Sequence, residues 1–180
     1  MKTQIALLGS GSIRTNINKG EITYGDVYNV LPFGSFACVI KASGQQILDA
    51  LEWSVHSTPD SFGGFLQVSG ISFEVDTTVK SGCKSDANGM MTSIEGERRV
   101  KNDLVDGKPI DPKEKYTVAG TDYYLLDNGD GFTAFDGAEL VEMSKKTDLQ
   151  VTIDYIQNQL GGVIGSTYAN PYGQGRIVVK

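Results

Sequence analysis

The sequence predicts an α+β domain in which antiparallel or mixed β-sheets carry helices packed on their outside. Segments with strand and helix patterns follow one another without the regular alternation that is typical of parallel α/β folds. A chain of 180 residues can form one domain that buries about 70% of its unfolded surface. Because the chain also has no internal repeat, we expect a single domain over residues 1–180.

Composition and charge exclude several classes of protein. Hydrophobic residues make up 39% of the chain and no low-complexity tract occurs, so an intrinsically disordered chain is excluded. The 16 basic and 22 acidic residues give a net charge of -6 without a basic cluster, which argues against a nucleic acid as partner. An apolar stretch long enough for a transmembrane span is lacking. The apolar run after Met1 is too short for a signal peptide, and we interpret it as the first strand.

Cysteine and histidine usage predicts no metal site in this chain. Cys38 and Cys83 are far apart in sequence and show no CxxC spacing, so we expect free thiols, although the sequence leaves a disulfide open. His56 is the only histidine and lies near the end of a predicted helix, where its charge would favour the helix dipole. We find no catalytic residue pattern around it.

The first half of the chain is predicted to form two strands and two helices. Apolar residues indicate strands over 5–8 and 36–41. Helices are expected over 24–30 and 44–55, because Thr23 is a good N-cap for the first and Ser43 with Gln46 forms a capping box for the second.

The second half is predicted to be richer in strands. Residues 66–75 alternate as one strand that bends at Gly70, and three further strands are expected to complete an antiparallel meander. These three strands cover 91–95, 99–101 and 116–119. Tyr123, Tyr124 and Leu125 are expected to continue a buried strand into a loop.

The C-terminal part is predicted to contain two helices and a last strand. Residues 137–143 are expected to form a short helix. A longer helix is expected to begin with Asp148 as its cap and to end at the glycine pair 161–162. Residues 176–179 are expected to form the final strand.

The glycine-rich loop over 9–14 is a candidate anion site. It fails the dinucleotide fingerprint, because Arg14 stands where the third glycine should be, and it lacks the lysine of a phosphate-binding Walker loop. The loop would still place the Arg14 guanidinium beside accessible backbone amides, a combination that can hold an anion. A surface turn with a solvated arginine is the alternative interpretation.

Residues 127–131 form the second candidate loop. Glycines at 129 and 131 permit a sharp turn that would present Asp130 as an exposed carboxylate beside the tyrosine pair. A calcium-binding EF-hand is excluded, because Leu126 would occupy its first ligand position. A hairpin turn without a ligand is the alternative. Upstream, Phe33 lies between Pro32 and Gly34, so its ring is expected to have fewer covering neighbours than a core phenylalanine.

Four separated motifs are explained together by one resemblance. They are GSGSIR at 9–14, LPFG at 31–34, FLQVSGI at 65–71 and YLLDNGDGF at 124–132. In this order and spacing they resemble the C-terminal substrate-binding domain of the 5'-nucleotidase and UDP-sugar hydrolase family, whose last strand follows a Gly-Arg-[IV] sequence like that at 175–177. The resemblance implies the layered α/β/β/α sandwich of that domain.

The resemblance also implies a role for each site residue. Phe33 and Tyr124 would hold a nucleobase between them, and Asp130 would accept hydrogen bonds from ribose hydroxyls. Arg14 would pair with the substrate phosphate, in a loop lined by Gly9 and Gly11. Gly9 departs from the family, which usually has asparagine there, and Tyr124 replaces the usual phenylalanine.

The resemblance places the catalytic chemistry elsewhere. In the family, two divalent metal ions are bound by an N-terminal metallophosphoesterase domain, which would be this chain's partner in a longer secreted, cell-surface or periplasmic hydrolase. We expect the chain alone to lack catalytic and metal-binding residues, and the first helix of the family domain to be missing before residue 14. The alternatives are a stand-alone module that binds nucleosides or another protein, and an unrelated enzyme that uses Asp130.

Overall fold

The computed structural model describes residues 3–168, 170 and 173–180. The strands are β1 (Ile5–Gly9), β2 (Phe36–Ser43), β3 (Leu66–Ser69), β4 (Ile71–Val75), β5 (Cys83–Ser85), β6 (Met91–Ile94), β7 (Val100–Val105), β8 (Lys108–Pro109), β9 (Lys115–Thr121), β10 (Glu139–Thr147) and β11 (Ile177–Val179). The helices are α1 (Tyr24–Val30), α2 (Gly44–Ser54), α3 (Asp122–Leu125) and α4 (Asp148–Asp154), which continues as a π-helical turn over Tyr155–Gln159.

The described strands form two large sheets and one small hairpin. The first sheet has the order β10-β2-β9-β1-β3, the second has the order β11-β4-β7-β8, and β5 pairs with β6. Most neighbours are antiparallel, but β1 runs parallel to β9 and β11 runs parallel to β4. This mixture confirms the α+β class.

The main core joins the two large sheets to helix α2. Ile40 and Val118 of the first sheet, Phe73 of the second sheet and Leu51 of α2 belong to one buried cluster. Helix α2 packs against β2 of the first sheet and β7 of the second. A smaller cluster around Val27, Leu31 and Leu149 attaches α1 to α4.

The capping signals predicted the first two helices closely. Thr23 accepts a hydrogen bond from the amide of Asp26, whose carboxylate accepts one in return, and α1 has the predicted bounds. Ser43 and Gln46 form the same reciprocal pair, and α2 ends one residue before the predicted end. In α4 the cap is Thr147, which pairs with Gln150, so the prediction of Asp148 was wrong by one residue.

The predicted strand over 66–75 is in fact two strands in different sheets. β3 belongs to the first sheet and β4 to the second, and the chain crosses between them at Gly70. Gly70 has a φ of 76°, and a Cβ atom there would overlap the carbonyl oxygen of Gln4. Glycine is therefore required both by the backbone conformation and by the close approach of the N-terminal segment.

We expect Gly70→Ala to destabilise the domain by about 2 kcal/mol or more, because alanine is strained at this φ and lacks space for its methyl group. The matched control is Gly25→Ala in α1, where no atom crowds the added Cβ and where alanine should be neutral or stabilise by up to about 1 kcal/mol. Urea unfolding of both variants measures the difference. Equal stability of the two variants would contradict this account of Gly70.

The predicted antiparallel meander was wrong. β9 lies in the first sheet between β2 and β1, whereas β6 pairs only with β5 and β7 pairs with β4 and β8. Pairing of β9 with β1 joins Val118 to Ile5, so the contact spans most of the chain. Such non-local pairing leaves no mark in the local alternation of residues.

Two local assignments were also wrong. The segment predicted as a helix over 137–143 largely belongs to β10, which pairs with β2 at the edge of the first sheet. Tyr123, Tyr124 and Leu125 lie in the helical turn α3 rather than in a strand, because the Asp122 carbonyl accepts hydrogen bonds from the amides of Leu126 and Asp127. In both cases tertiary pairing and local turn geometry override residue preference.

No helix in the described part of the chain combines the length and the apolar character needed to cross a membrane. The final strand, β11, begins one residue after the predicted start and ends at the predicted residue.

Candidate functional site

The candidate site is built on the loop that follows β1, an inner strand of the first sheet. The Ser10 amide donates to the Phe65 carbonyl at 2.8 Å, and the Gly11 amide donates to the Gly63 carbonyl at 2.7 Å. Gly11 packs so closely on Gly63 that a Cβ atom at Gly11 would lie 3.0 Å from the Gly63 Cα. The loop over 9–14 is thus fastened to the loop before β3.

This fastening corrects the expectation that the loop offers free backbone amides to an anion. Besides Ser10 and Gly11, the Ile13 amide donates to the Ser10 carbonyl and the Arg14 amide donates to the Val30 carbonyl. These four amides are therefore occupied within the protein. The Arg14 side chain, which donates to the Gly11 carbonyl at 3.0 Å, is the cationic group of the loop.

Asp130 lies in a tight turn with unusual backbone angles. Asn128 and Asp130 have φ values of 55° and 50°, and the turn continues into Gly131 at 83°. A Cβ atom at Gly131 would meet both the Gly89 carbonyl and the indole ring of Trp53. The Trp53 Nε1 donates to the Asp130 carbonyl at 2.9 Å, so α2 supports this turn from inside the core.

The Asp130 carboxylate is half-buried and already has two donors, which corrects the expectation of a freely exposed group. Tyr123 donates its hydroxyl to Oδ1 at 3.0 Å, and Tyr124 donates its hydroxyl to Oδ2 at 2.9 Å. Each carboxylate oxygen has a further lone pair for a ligand. The arrangement is a hydrogen-bond acceptor whose orientation is fixed by two phenols.

Tyr124 is buried, with 3% of its surface exposed. Its ring packs at right angles to Tyr123 and Phe132, with ring centroids 4.9 Å and 5.4 Å away. Burial raises the pKa of the Tyr124 phenol, and its hydrogen bond to Asp130 and the charge of that carboxylate raise it further. In this conformation the ring of Tyr124 has no open face for a nucleobase, whereas Tyr123 is 42% exposed.

Phe33 is held at the surface, as its sequence context predicts. The preceding Leu31 is buried and anchors the turn, while Gly34 has a φ of 69°. The Phe33 ring is 63% exposed, and the Arg14 guanidinium carbon lies 5.8 Å from the ring centroid. One face of the ring therefore meets a cation, and the opposite face is available for stacking.

The structure joins most of the predicted site residues in one chain of contacts. A Cβ atom placed on Gly63 would lie 3.6 Å from Asp130 Oδ2, so the turn holding Asp130 borders the loop that contains Gly11. Arg14 then links Gly11 to Phe33. Gly9 contacts Tyr124 directly.

Sequence reasoning missed two residues of this site. They are Trp53 and Gly63, which contact Asp130 or the loop beside it. The sequence placed Asp130 beside the tyrosine pair but did not predict the hydrogen bond that Tyr123 donates to it. Only the Gly63-Gly64 pair left a recognisable signal in the sequence. Trp53 is itself supported by His56, whose ring stacks on the indole with ring centroids 4.2 Å apart.

Metal-binding residues are not gathered at this site. Within residues 3–168, 170 and 173–180, no three His, Cys, Asp or Glu side chains lie together in a group that could hold a metal ion. Cys38 and Cys83 are free thiols. The residues present do not fit a two-metal centre, and no reaction step is assigned to a metal in this chain.

Comparisons with known proteins agree with the motifs. Residues 1–137 match the family described as 5'-nucleotidase, C-terminal domain. The trifunctional nucleotide phosphoesterase protein YfkN of Bacillus subtilis is 30% identical over 97% of this chain and 11% of its own length. A cell wall protein of Listeria monocytogenes is 31% identical over 86% of this chain and 18% of its own length.

A solved structure shows the same likeness in three dimensions. The 5'-nucleotidase precursor from Thermus thermophilus matches with a TM-score of 0.80 and 33% identity, over 98% of this chain and 31% of that chain. This chain thus spans less than a third of each of these relatives. The family match over most of the chain and the shared fold lead to one conclusion: the chain belongs to the family of 5'-nucleotidase C-terminal domains.

Proposed function

We propose that this chain recognises the nucleoside part of a nucleotide on behalf of a 5'-nucleotidase-type phosphohydrolase. The observation that carries the proposal is the assembly of an exposed aromatic ring, a cation and an oriented carboxylate around the loop over 9–14. These three groups match the three parts of a nucleotide, which are a flat base, a phosphate and a sugar with hydroxyl groups.

Each group has a distinct task in this proposal. Phe33 stacks on the base with the face that Arg14 leaves open. Asp130 accepts hydrogen bonds from the sugar hydroxyls through the lone pairs that the tyrosines do not use. Arg14 pairs with the phosphate, and Gly9 and Gly11 belong to the loop that holds Arg14 in place, through their close packing on Tyr124 and Gly63. Tyr124, the second ring implied by the family resemblance, would have to leave the core to stack on the base.

Hydrolysis in this proposal belongs to another part of a longer protein. The family resemblance assigns two divalent metal ions to an N-terminal metallophosphoesterase domain, which would activate water against the phosphate ester. The present chain would contribute orientation by holding the nucleoside while the two domains close. On its own it is expected to bind ligand without turnover.

An extracellular or cell-surface location, or a periplasmic one in a Gram-negative cell, is part of the same proposal. It is supported by the likeness to the Listeria monocytogenes cell wall protein.

The stacking role of Phe33 is tested by Phe33→Ala. We expect the dissociation constant for adenosine to rise by about tenfold or more, because stacking of a base on an aromatic ring contributes about 1–3 kcal/mol. The matched control is Tyr24→Ala, since Tyr24 is also an aromatic residue on the surface, with 65% exposure against 63% for Phe33. Isothermal titration of both variants with adenosine gives the comparison. Equal affinities in the two variants would contradict the assignment of Phe33.

A further inference from the structure

We infer that Tyr124 is a positioning residue for Asp130, and that Gly9 is glycine because the Tyr124 ring fills the space of a side chain at that position. This inference rests on the proposed role of Asp130 in binding the sugar. It assigns Tyr124 a task that differs from stacking on the base.

The first argument is the fit between Gly9 and Tyr124. A Cβ atom on Gly9 would lie within 2.5 Å of three Tyr124 atoms, the hydroxyl oxygen, Cζ and Cε2. The backbone of Gly9 is extended, with φ of -66° and ψ of 136°, a conformation that any residue can adopt. Backbone geometry therefore does not require glycine at this position, and the space taken by the tyrosine ring does.

The second argument is the way the Asp130 carboxylate is held. Tyr124 donates to Oδ2 and Tyr123 donates to Oδ1, so rotation of the carboxylate about its last bond would break both hydrogen bonds. Trp53 fixes the backbone of the same residue through the Asp130 carbonyl. The unused lone pairs are thereby held in fixed directions, and this orientation is what a pair of neighbouring ligand hydroxyls needs.

The third argument is the environment of the Tyr124 ring. The ring packs against Phe132, which is fully buried, and Tyr124 itself is almost fully buried. A buried phenol needs an acceptor for its hydrogen, and the Asp130 carboxylate accepts the hydrogen of the Tyr124 hydroxyl. The ring contributes to the core, and the hydroxyl contributes to the site.

The two possible roles of Tyr124 predict different effects of Tyr124→Phe. A stacking ring would work equally well as phenylalanine, so binding would not change. A positioning hydroxyl would be lost, and only ligands that use Asp130 would bind more weakly. Adenosine and 2',3'-dideoxyadenosine separate these cases, because the second nucleoside has the base but lacks the 2'- and 3'-hydroxyls of the sugar.

We expect Tyr124→Phe to weaken adenosine binding by about threefold to tenfold, the effect of about one ordinary hydrogen bond, and to change dideoxyadenosine binding by less than about twofold. The control Tyr28→Phe, which removes the hydroxyl of an exposed tyrosine on α1, should alter neither. If wild-type chain binds adenosine and Tyr124→Phe leaves the ratio of the two affinities unchanged, the positioning role is overturned and the proposed function stands. If the wild-type chain binds neither nucleoside, both are overturned.

The fit between Gly9 and Tyr124 is tested without a ligand. Gly9→Ala should lower the melting temperature by about 5 °C or more in the wild-type chain, as expected when a methyl group is forced into a packed site. In the Tyr124→Ala background the ring is gone, so the same substitution should have little further effect. An equal loss in both backgrounds would overturn the claim that Tyr124 is what requires glycine at position 9.

Discussion

Replacing Glu52 by glutamine is expected to destabilise the domain by about 1.5–3 kcal/mol, although this residue lies outside the candidate site. Glu52 is fully buried in α2. Its two carboxylate oxygens accept the amide hydrogens of Arg99 and Val100 at 2.9 Å each, at the start of β7. The charged side chain thus joins α2 to the second sheet.

Glutamine retains the size of the glutamate side chain but changes its hydrogen bonding. Its amide nitrogen cannot accept, so one of the two β7 amides would be left buried without a partner. The same segment is also fixed by the buried Arg99 side chain, which donates to the Val55 and His56 carbonyls at the end of α2.

The matched control is Glu95→Gln at the surface. The Glu95 side chain is 66% exposed and its contact with Lys84 is 3.9 Å long, so its replacement should change stability by less than about 1 kcal/mol. Urea unfolding at neutral pH measures both variants. A Glu52→Gln variant as stable as Glu95→Gln would show that the buried glutamate does not hold β7 against α2.

Asp130→Asn is expected to produce the largest loss of ligand binding. The substitution preserves the size of the side chain but removes its charge, and it leaves one oxygen instead of two to accept hydrogen bonds. Hydrogen bonds to a charged group contribute about 1.5–3 kcal/mol, so adenosine affinity should fall by about tenfold or more. The affinity for 2',3'-dideoxyadenosine should change far less, since that ligand lacks the 2'- and 3'-hydroxyls that would donate to Asp130.

Asp127→Asn is the control for this loss. Asp127 is an exposed carboxylate in the same loop, three positions before Asp130. Its replacement by asparagine removes the same charge from the chain. Isothermal titration of both variants with both nucleosides, together with their melting temperatures, separates a site effect from unfolding. Similar adenosine affinities in the two variants would contradict the role of Asp130.

Local signals in the sequence predicted the local structure well. The pairs Thr23 with Asp26 and Ser43 with Gln46 predicted where α1 and α2 begin, because a capping box involves residues only three positions apart. Gly70 predicted a bend. That this bend separates two sheets could not be predicted, since it depends on the approach of Gln4 from the N-terminal segment.

The sequence predicted which residues belong to the candidate site better than it predicted how they are arranged. The order of the motifs identified Arg14, Phe33 and Asp130, and the structure links them around one loop. The burial of Tyr124 could not be predicted, because it depends on the space at Gly9, which lies at the end of β1 and far from Tyr124 in sequence. Trp53 was also missed, since it reaches Asp130 from a helix that is distant in sequence.

The central claim is that nucleotides bind between Phe33, Arg14 and Asp130. It is tested most directly by titrating AMP into the isotopically labelled chain and following the backbone amide signals by NMR. The proposal predicts saturable shifts concentrated in residues 9–14, around Phe33 and in 123–131. Shifts confined to other surfaces, such as that formed by α1 and α4, or no shifts at millimolar AMP, would contradict it.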